Sequence, residues 1–401
     1  MILLFIFIIW LTLTLTRCLC SFIWSILLRN FIIVGNGFIG NHLSWNLASS
    51  SCFSLGRNFL EDIKKIPTDR KYTLIWSHGI SRGDDSSVYY SQYTPIVRIL
   101  SLIKKHYIEI EQQIYISSLF ANFDNSFGKT KKDCENLILN SGIKSLVLRL
   151  PNIYGYFKEP KGNSILSKWF LTSDIIRATN DSKYYVSLEN LTNLLNTFLD
   201  GHFDNLVFNV ISDKSTRISD LGKAVSEYRD VFFKPMNSES TIDITDLSSY
   251  TGNNISIKDD ILLNLDNYIK GSEFANEVFN SVYKSERIHV SNKKQFLFDL
   301  DSDEFINLKR VYSFDLIAGE KRGNHYHKEQ TEFFSVIDGS CEIYITNKNG
   351  FKVSVPMSFG DKIRTNPYLQ HAFFSPTNKC IILTSSTLEY VPNSTPDVFK
   401  F

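Results

Sequence analysis

Short apolar runs recur along the whole chain, but their punctuation changes partway. Phe31-Ile32-Ile33-Val34, Thr73-Leu74-Ile75-Trp76, Gln113-Ile114-Tyr115-Ile116-Ser117-Ser118 and Ser145-Leu146-Val147-Leu148-Arg149-Leu150 are strand-length runs separated by segments of helical period. Apolar strands alternating with amphipathic helices predict a parallel, doubly wound sheet with both faces covered. Towards the C-terminus the runs are closer and turn-bounded: Gln295-Phe296-Leu297-Phe298, Val311 to Leu316, Phe333 to Ile337, Cys341 to Ile345 and Cys380 to Leu383, with Asp338-Gly339 and Asn349-Gly350 between them. That rhythm predicts a small antiparallel barrel or jelly roll, whose interior is a natural ligand cavity. Residues 151 to about 230 read as a substrate-side subdomain interleaved with the parallel sheet. Residues 236 to 285, rich in Asn, Ser and Asp, carry short helical patterns.

The chain has 401 residues, enough for two or three domains with separate cores. Its formal net charge of +1, without a basic cluster, leaves no electrostatic footprint for nucleic acid. Cys18, Cys20, Cys52, Cys134, Cys341 and Cys380 have neither a disulfide-framework spacing nor a Cys-x-x-Cys zinc pair, and read as reduced thiols of a cytoplasmic protein.

The first thirty residues form a separate hydrophobic segment. Met1 to Thr16 is almost uninterruptedly apolar, Arg17 breaks it, and Cys18 to Leu28 resumes before Arg29. The length could cross a bilayer, although Arg17 would cost about 2.5–3.5 kcal/mol near the middle. A cleaved signal peptide is disfavoured by the missing basic n-region and cleavage site. Two readings stand: an anchor at the inner face of the membrane, with contact through residues 1–28, or a true start near Leu27 or Leu28. The expected organisation is 1–30 hydrophobic segment, 31–285 dinucleotide-binding domain and 286–401 barrel.

Gly35-Asn36-Gly37-Phe38-Ile39-Gly40 follows the first strand at once and leads into a helix. This is G-x-G-x-x-G in its required context: Gly35 for the tight turn, Gly37 for close approach of a pyrophosphate, Gly40 for helix packing. After the second strand, where an NAD enzyme shows an acid, stands Gly56-Arg57; an arginine suits a 2′-phosphate, so NADP(H) is the expected cofactor.

These residues, with the strand ending in Ser117-Ser118, Lys131 on the following helix and Arg149-Leu150-Pro151-Asn152-Ile153-Tyr154-Gly155, resemble the extended short-chain dehydrogenase/reductase family of nucleotide-sugar enzymes over roughly residues 31 to 230. The resemblance implies a Rossmann-type fold and catalytic roles for Lys131, Ser117 and Ser118. One departure matters: Phe127 stands where the family's Tyr-x-x-x-Lys has its proton-donating Tyr, and a phenyl ring has no proton to give. Ser117, Ser118 or a water ordered by Lys131 substitutes as donor, the domain binds nucleotide without chemistry, or the motif is shifted by a local insertion.

The densest motif is Gly319-x5-His325-x-His327-x4-Glu332-x6-Gly339, with a distant Pro367-x3-His371. Histidines at i and i+2 share one face of a strand, and a carboxylate and third imidazole from neighbouring strands complete a four-ligand pocket for a divalent metal, zinc first. The alternative is an acid/base set without metal, with His325 catalytic. This spacing resembles the cupin superfamily, and Leu308 to Tyr312 with the Gly319–His327 run is similar to the cupin-type nucleotide-sugar 3,4-ketoisomerases. The order of the two parts resembles the CapF-like bifunctional capsular-polysaccharide enzymes. That resemblance implies a cupin half epimerising a UDP-linked 4-keto-6-deoxy sugar, a Rossmann half reducing the product with NADPH, a place in capsular or O-antigen polysaccharide biosynthesis, and a homodimer. Arg322 could hold the diphosphate. A sugar-nucleotide-binding protein with both halves silent is the reading of a different class.

Overall fold

The computed structural model describes residues 29–47, 51–80, 83–155, 165–171, 174–200, 203–212, 215–236, 261–284, 287–290, 293–296, 308–376, 378–389 and 397–400. The apolar segment 1–28 and the expected strand residues Leu297 and Phe298 lie outside them.

Six strands form the N-terminal sheet: β1 (Phe31–Val34), β2 (Cys52–Leu55), β3 (Lys71–Trp76), β4 (Glu109–Ser118), β5 (Ser145–Leu150) and β6 (Leu206–Asn209), all parallel, in the order β6-β5-β4-β3-β1-β2. The order reverses between β1 and β3, so the switch-point crevice opens at the carboxyl end of β1, where the glycine turn lies. Most residues of these strands are buried, which is why the sequence shows continuous apolar runs instead of alternation. One face packs on α2 (Asp85–Lys105) and α3 (Ser126–Leu139) through Ile96, Ile99, Ile103, Cys134 and Ile138. The other packs on α1 (Phe38–Asn46) and α4 (Leu188–Asp200) through Leu43, Leu191, Leu194 and Leu195. The sheet is Rossmann-like.

The C-terminal part is antiparallel. β7 (Arg310–Leu316), β9 (Glu332–Asp338), β12 (Asp361–Thr365) and β14 (Cys380–Ser386) join Tyr283–Lys284 in one sheet, ordered Tyr283–Lys284, β12, β9, β14, β7. β8 (Lys321–His325), β10 (Ser340–Thr346), β11 (Lys352–Ser358) and β13 (Gln370–Phe374) form the second, ordered β8-β13-β10-β11. Inward residues of both, Val336, Ile343, Val355, Phe373 and Ile382 among them, make one core. Tyr283–Lys284 pairs with Lys362 and Asp361, so the barrel's sheet takes in residues just ahead of 286. Helix α5 (Leu265–Asn280) bridges the parts: Leu265 and Ile269 pack with the substrate-side cluster around Trp169 and Tyr185, Ala275 and Val278 with the barrel core.

The two halves share a seam. The Trp45 ring stacks on Tyr344 at 4.0 Å, and Lys321 Nζ donates to the Trp45 carbonyl at 2.6 Å while lying 4.2 Å over its ring. Tyr344, Ala372 and Phe374 of the barrel belong to the same buried cluster as Phe31, Leu43 and Leu191. Among the described residues no helix is long and apolar enough to cross a membrane.

Candidate functional site

β8 carries His325 as its last residue, opposite His371 of β13, and β9 carries Glu332 as its first. The site therefore lies at one mouth of the barrel, where the two sheets face each other. The i, i+2 expectation for the histidine pair needs a correction. The strand stops at His325, the ladder is bulged between Gly323 and His325, and Asn324 has φ 67°, so His327 stands in the connection beyond the strand. The bulge re-aims the backbone, and both rings still face inward with centroids 5.0 Å apart. A Cβ on Gly323, whose φ is +90°, would meet the His371 carbonyl oxygen at 3.0 Å, so a glycine lets the two strands close there.

One ligand atom from each of His325, His327, Glu332 and His371 lies within 4.8 Å of the other three. His327, Glu332 and His371 are buried, whereas His325 is partly open at the mouth. His327 Nδ1 is hydrogen-bonded to the Asp397 carbonyl, and His371 Nδ1 lies 3.3 Å from the Leu369 carbonyl. Carbonyls only accept, so each Nδ1 carries the proton and each Nε2 presents a lone pair to the site. Those Nε2 atoms lie 3.2 Å and 3.1 Å from Glu332 Oε2. His327 Nε2 and Glu332 Oε2 are buried without a hydrogen-bond partner. Acceptors buried face to face demand a cation between them. Three imidazoles and one carboxylate are a zinc-type donor set, so the residues fit a divalent ion.

When a proton fills that place instead, the same geometry sets the basicities. Burial opposes charge on Glu332, but His327 and His371 outweigh it and hold the carboxyl far below its usual range. Burial likewise opposes protonation of His327, and Glu332 and Asp397 overcome it, raising its pKa. His325 is lowered to about 4, by burial first and then by His371 and His327. Tyr312 of β7 donates to Glu332 Oε1 at 3.2 Å, and its hydroxyl is pushed up to about 12 by burial and that carboxylate. Tyr312 and Asp397 were not singled out in the sequence. The alternation of Tyr312, Phe314 and Leu316 signals an inward face, but nothing local marks Asp397. Arg322 is exposed, donates to the Asp315 carbonyl and lies 5.2 Å over Phe314.

In the N-terminal half, Gly35 has φ +106° and sits against the His78 backbone, and a Cβ on Gly40 would fall 1.8 Å from the Gly35 carbonyl oxygen. Gly37 differs: its Cβ would meet nothing within 4 Å. It is the N-cap of α1, which has no side-chain cap and no acid in its first turn, an arrangement suited to the approach of an anion. Gly35 N–H bonds the Leu55 carbonyl, which places Gly56 and the exposed Arg57 beside the glycine loop.

Ser117 Oγ donates to Glu135 Oε1 at 2.7 Å, and Arg149 grips the same carboxylate through Nε at 2.9 Å and Nη2 at 2.6 Å. Ser118 caps the turn after β4, accepting from Phe120 N–H. Lys131 is buried, with Nζ 3.3 Å from the Tyr115 hydroxyl and 5.8 Å over the Phe127 ring, and burial lowers its pKa to about 8. Lys131, Phe127 and the end of β4 are thus brought together. Arg57 and the glycine loop form a separate group on the β1–β2 edge. The described cysteines, Cys52, Cys134, Cys341 and Cys380, are free and buried.

Parts of the chain are similar to known proteins. Residues 287–392 match the family model described as FdtA: WxcM-like, C-terminal. Over 247 residues the chain is 24% identical to the UDP-2-acetamido-2,6-beta-L-arabino-hexul-4-ose reductase of Pseudomonas aeruginosa, a match that spans 58% of this chain and 59% of that enzyme's length. The capsular polysaccharide assembling protein CapF of Staphylococcus aureus aligns over 93% of this chain and 99% of its own, at 16% identity and a TM-score of 0.43. A UDP-N-acetylglucosamine 4-epimerase of Methanobrevibacter ruminantium, solved with UDP-N-acetylmuramic acid, aligns over 61% of this chain and 97% of its own, at 16% identity and a TM-score of 0.49.

Proposed function

We propose that this chain is a nucleotide-sugar epimerase/reductase of surface-polysaccharide biosynthesis. In this reading the C-terminal cupin, from about residue 286, removes and returns a proton next to the ketone of a UDP-linked 4-keto-6-deoxy sugar. The N-terminal half, residues 31–285, binds NADPH and the same class of sugar nucleotide. The observation that carries the reading is the cluster of His325, His327, Glu332 and His371 with unpaired acceptors facing inward from both sheets. The match to a UDP-hexulose reductase supports the substrate class.

The chemistry follows from the groups present. Taking a proton from carbon beside a carbonyl leaves an enolate, whose negative oxygen must be stabilised. A divalent ion held by His325, His327, Glu332 and His371 would supply that stabilisation. In the alternative without an ion, His325, the cluster member open to the mouth, stays neutral above about pH 4 and is the group able to exchange a proton with substrate. Tyr312 fixes the Glu332 carboxylate from behind.

A second reading holds for the N-terminal half. Phe127 offers no proton, and the Ser117 hydroxyl is already engaged with Glu135, which favours a half that binds dinucleotide and sugar without reducing a ketone. The 3,4-ketoisomerase reaction starts with the same proton removal and is the neighbouring assignment for the cupin.

Solvent deuterium wash-in tests the core of the proposal. The full chain, incubated in D2O with UDP-4-keto-6-deoxy sugars, is expected to label the carbon next to the ketone, and His325→Ala to abolish labelling. No wash-in across a panel of such sugars would overturn the cupin assignment.

A further inference from the structure

Nothing in the spacing of the histidine motif points to the C-terminal residues, yet they close over it. Asp397 lies 70 positions from His327 in the chain, and its carbonyl accepts the His327 Nδ1–H. Its carboxylate accepts three successive backbone N–H groups of the connection between β8 and β9: Lys328 at 3.0 Å on Oδ1, Glu329 at 3.1 Å and Gln330 at 3.2 Å on Oδ2. Two residues on, Phe399 makes a reciprocal backbone pair with Tyr326, 2.9 Å in each direction, and Lys328 Nζ lies 4.0 Å over its ring.

The connection that is gripped this way runs from the last residue of one sheet's strand to the first residue of the other's. His325 and His327 stand at its start and Glu332 at its end. With φ 67° at Asn324 and a bulge beside it, the ladder stops short of His327, whose carbonyl accepts from Tyr368 N–H at 2.7 Å. The tail holds the backbone on either side of His327, and the carbonyl it delivers decides which ring nitrogen of His327 carries the proton.

We infer that Asp397 is a positioning residue of the candidate centre: by clasping residues 328–330 and accepting from the His327 ring it holds His327 as the Nδ1–H tautomer and turns Nε2 towards Glu332. The inference rests on reading the four-residue cluster as the functional centre. It adds that the centre is incomplete without the C-terminal segment. Charge-assisted bonds to three amides fix the connection more firmly than neutral ones would, and such supporting partners typically set 10–100-fold of a metal site's affinity.

The test uses the full chain and two readouts that need no substrate. Zinc affinity by competition with a chromophoric chelator should fall about 10–100-fold in Asp397→Ala. Asp397→Asn, which keeps one accepting oxygen, should show an intermediate loss. In the metal-free protein, nitrogen-15 spectra of labelled histidine should give His327 as a single Nδ1–H tautomer, and a mixture in Asp397→Ala with unchanged circular dichroism. If Asp397→Ala does not fold, Asp397→Asn carries both readouts. Wild-type affinity and wild-type tautomer in the folded variant would overturn the inference while leaving the metal reading intact. A wild-type chain that binds no zinc would overturn the metal reading alone, and the tautomer measurement would then decide the role of Asp397.

Discussion

Glu332 is where the opposing demands on single residues meet. A buried carboxylate is costly unless it is paired, and here the two imidazoles beside it present lone pairs, so the pairing comes from a cation or a proton held between them. Around it the histidines divide by environment. His325 is held to about 4, as are His42, beside Thr192 and Lys352, and His78, whose Nε2 meets the Gln92 carbonyl; burial is the leading cause in all three. The unfolded chain takes up protons on these groups from about pH 6.5 downward while the folded protein does not, so their effect is to make stability fall as pH falls from about 6.5 to about 4. His42 and His78 each contribute roughly 2–3 kcal/mol across that window. His327, with a raised pKa, works the other way, adding stability as pH falls towards about 6.5 and changing little below it. Urea unfolding in the presence of chelator at pH 7 and pH 4.5 should therefore show a large loss at the lower pH; equal midpoints would contradict these environments. At this scale the sequence was legible where residue type and spacing both constrain chemistry, as in His325, His327, Glu332 and His371. It was mute where a contact joins distant positions: Asp397 on His327, Tyr312 on Glu332, and Arg149 with Ser117 on Glu135.

At the level of elements, the β1–loop–α1 unit was the easiest to read, because strand, glycine turn and helix start are adjacent in the chain. Its three glycines serve different ends. A methyl group on Gly40 would run into the Gly35 carbonyl oxygen, whereas one on Gly37 would meet nothing. Gly40→Ala should destabilise the N-terminal half by about 1–3 kcal/mol or more. Gly37→Ala should melt like wild type yet lose NADPH affinity, since the open space in front of α1 is where a pyrophosphate would approach. Calorimetric titration with NADPH and NADH checks both the loop and Arg57: undiminished binding by Gly37→Ala would remove the loop from the site, and tighter binding of NADH would refute the role given to Arg57. The element that misled was the histidine strand. A regular ladder through His327 was the simplest reading of His-x-His, but a bulge at Asn324 ends the ladder at His325, and bulges leave only a faint mark in sequence.

The whole molecule joins a parallel sheet to an antiparallel barrel, and the change of apolar rhythm marked both. The seam between them was not legible. Trp45, Lys321 and Tyr344 look like ordinary amphipathic positions until the fold stacks them, and α5 serves the cores on either side. This packing puts α1, which opens at the glycine loop, against β8 and β10, the sheet that also presents His325. The central question at the histidine centre of the barrel is whether it is built for an ion. Elemental analysis of the full-length chain purified without chelator, alongside His371→Ala, tests this most directly. One equivalent of a divalent metal per chain, lost on acidification and in the variant, with a lower melting temperature after chelation, is the expected result. Well below one equivalent in the wild type, with no chelator-dependent shift in melting, would contradict it.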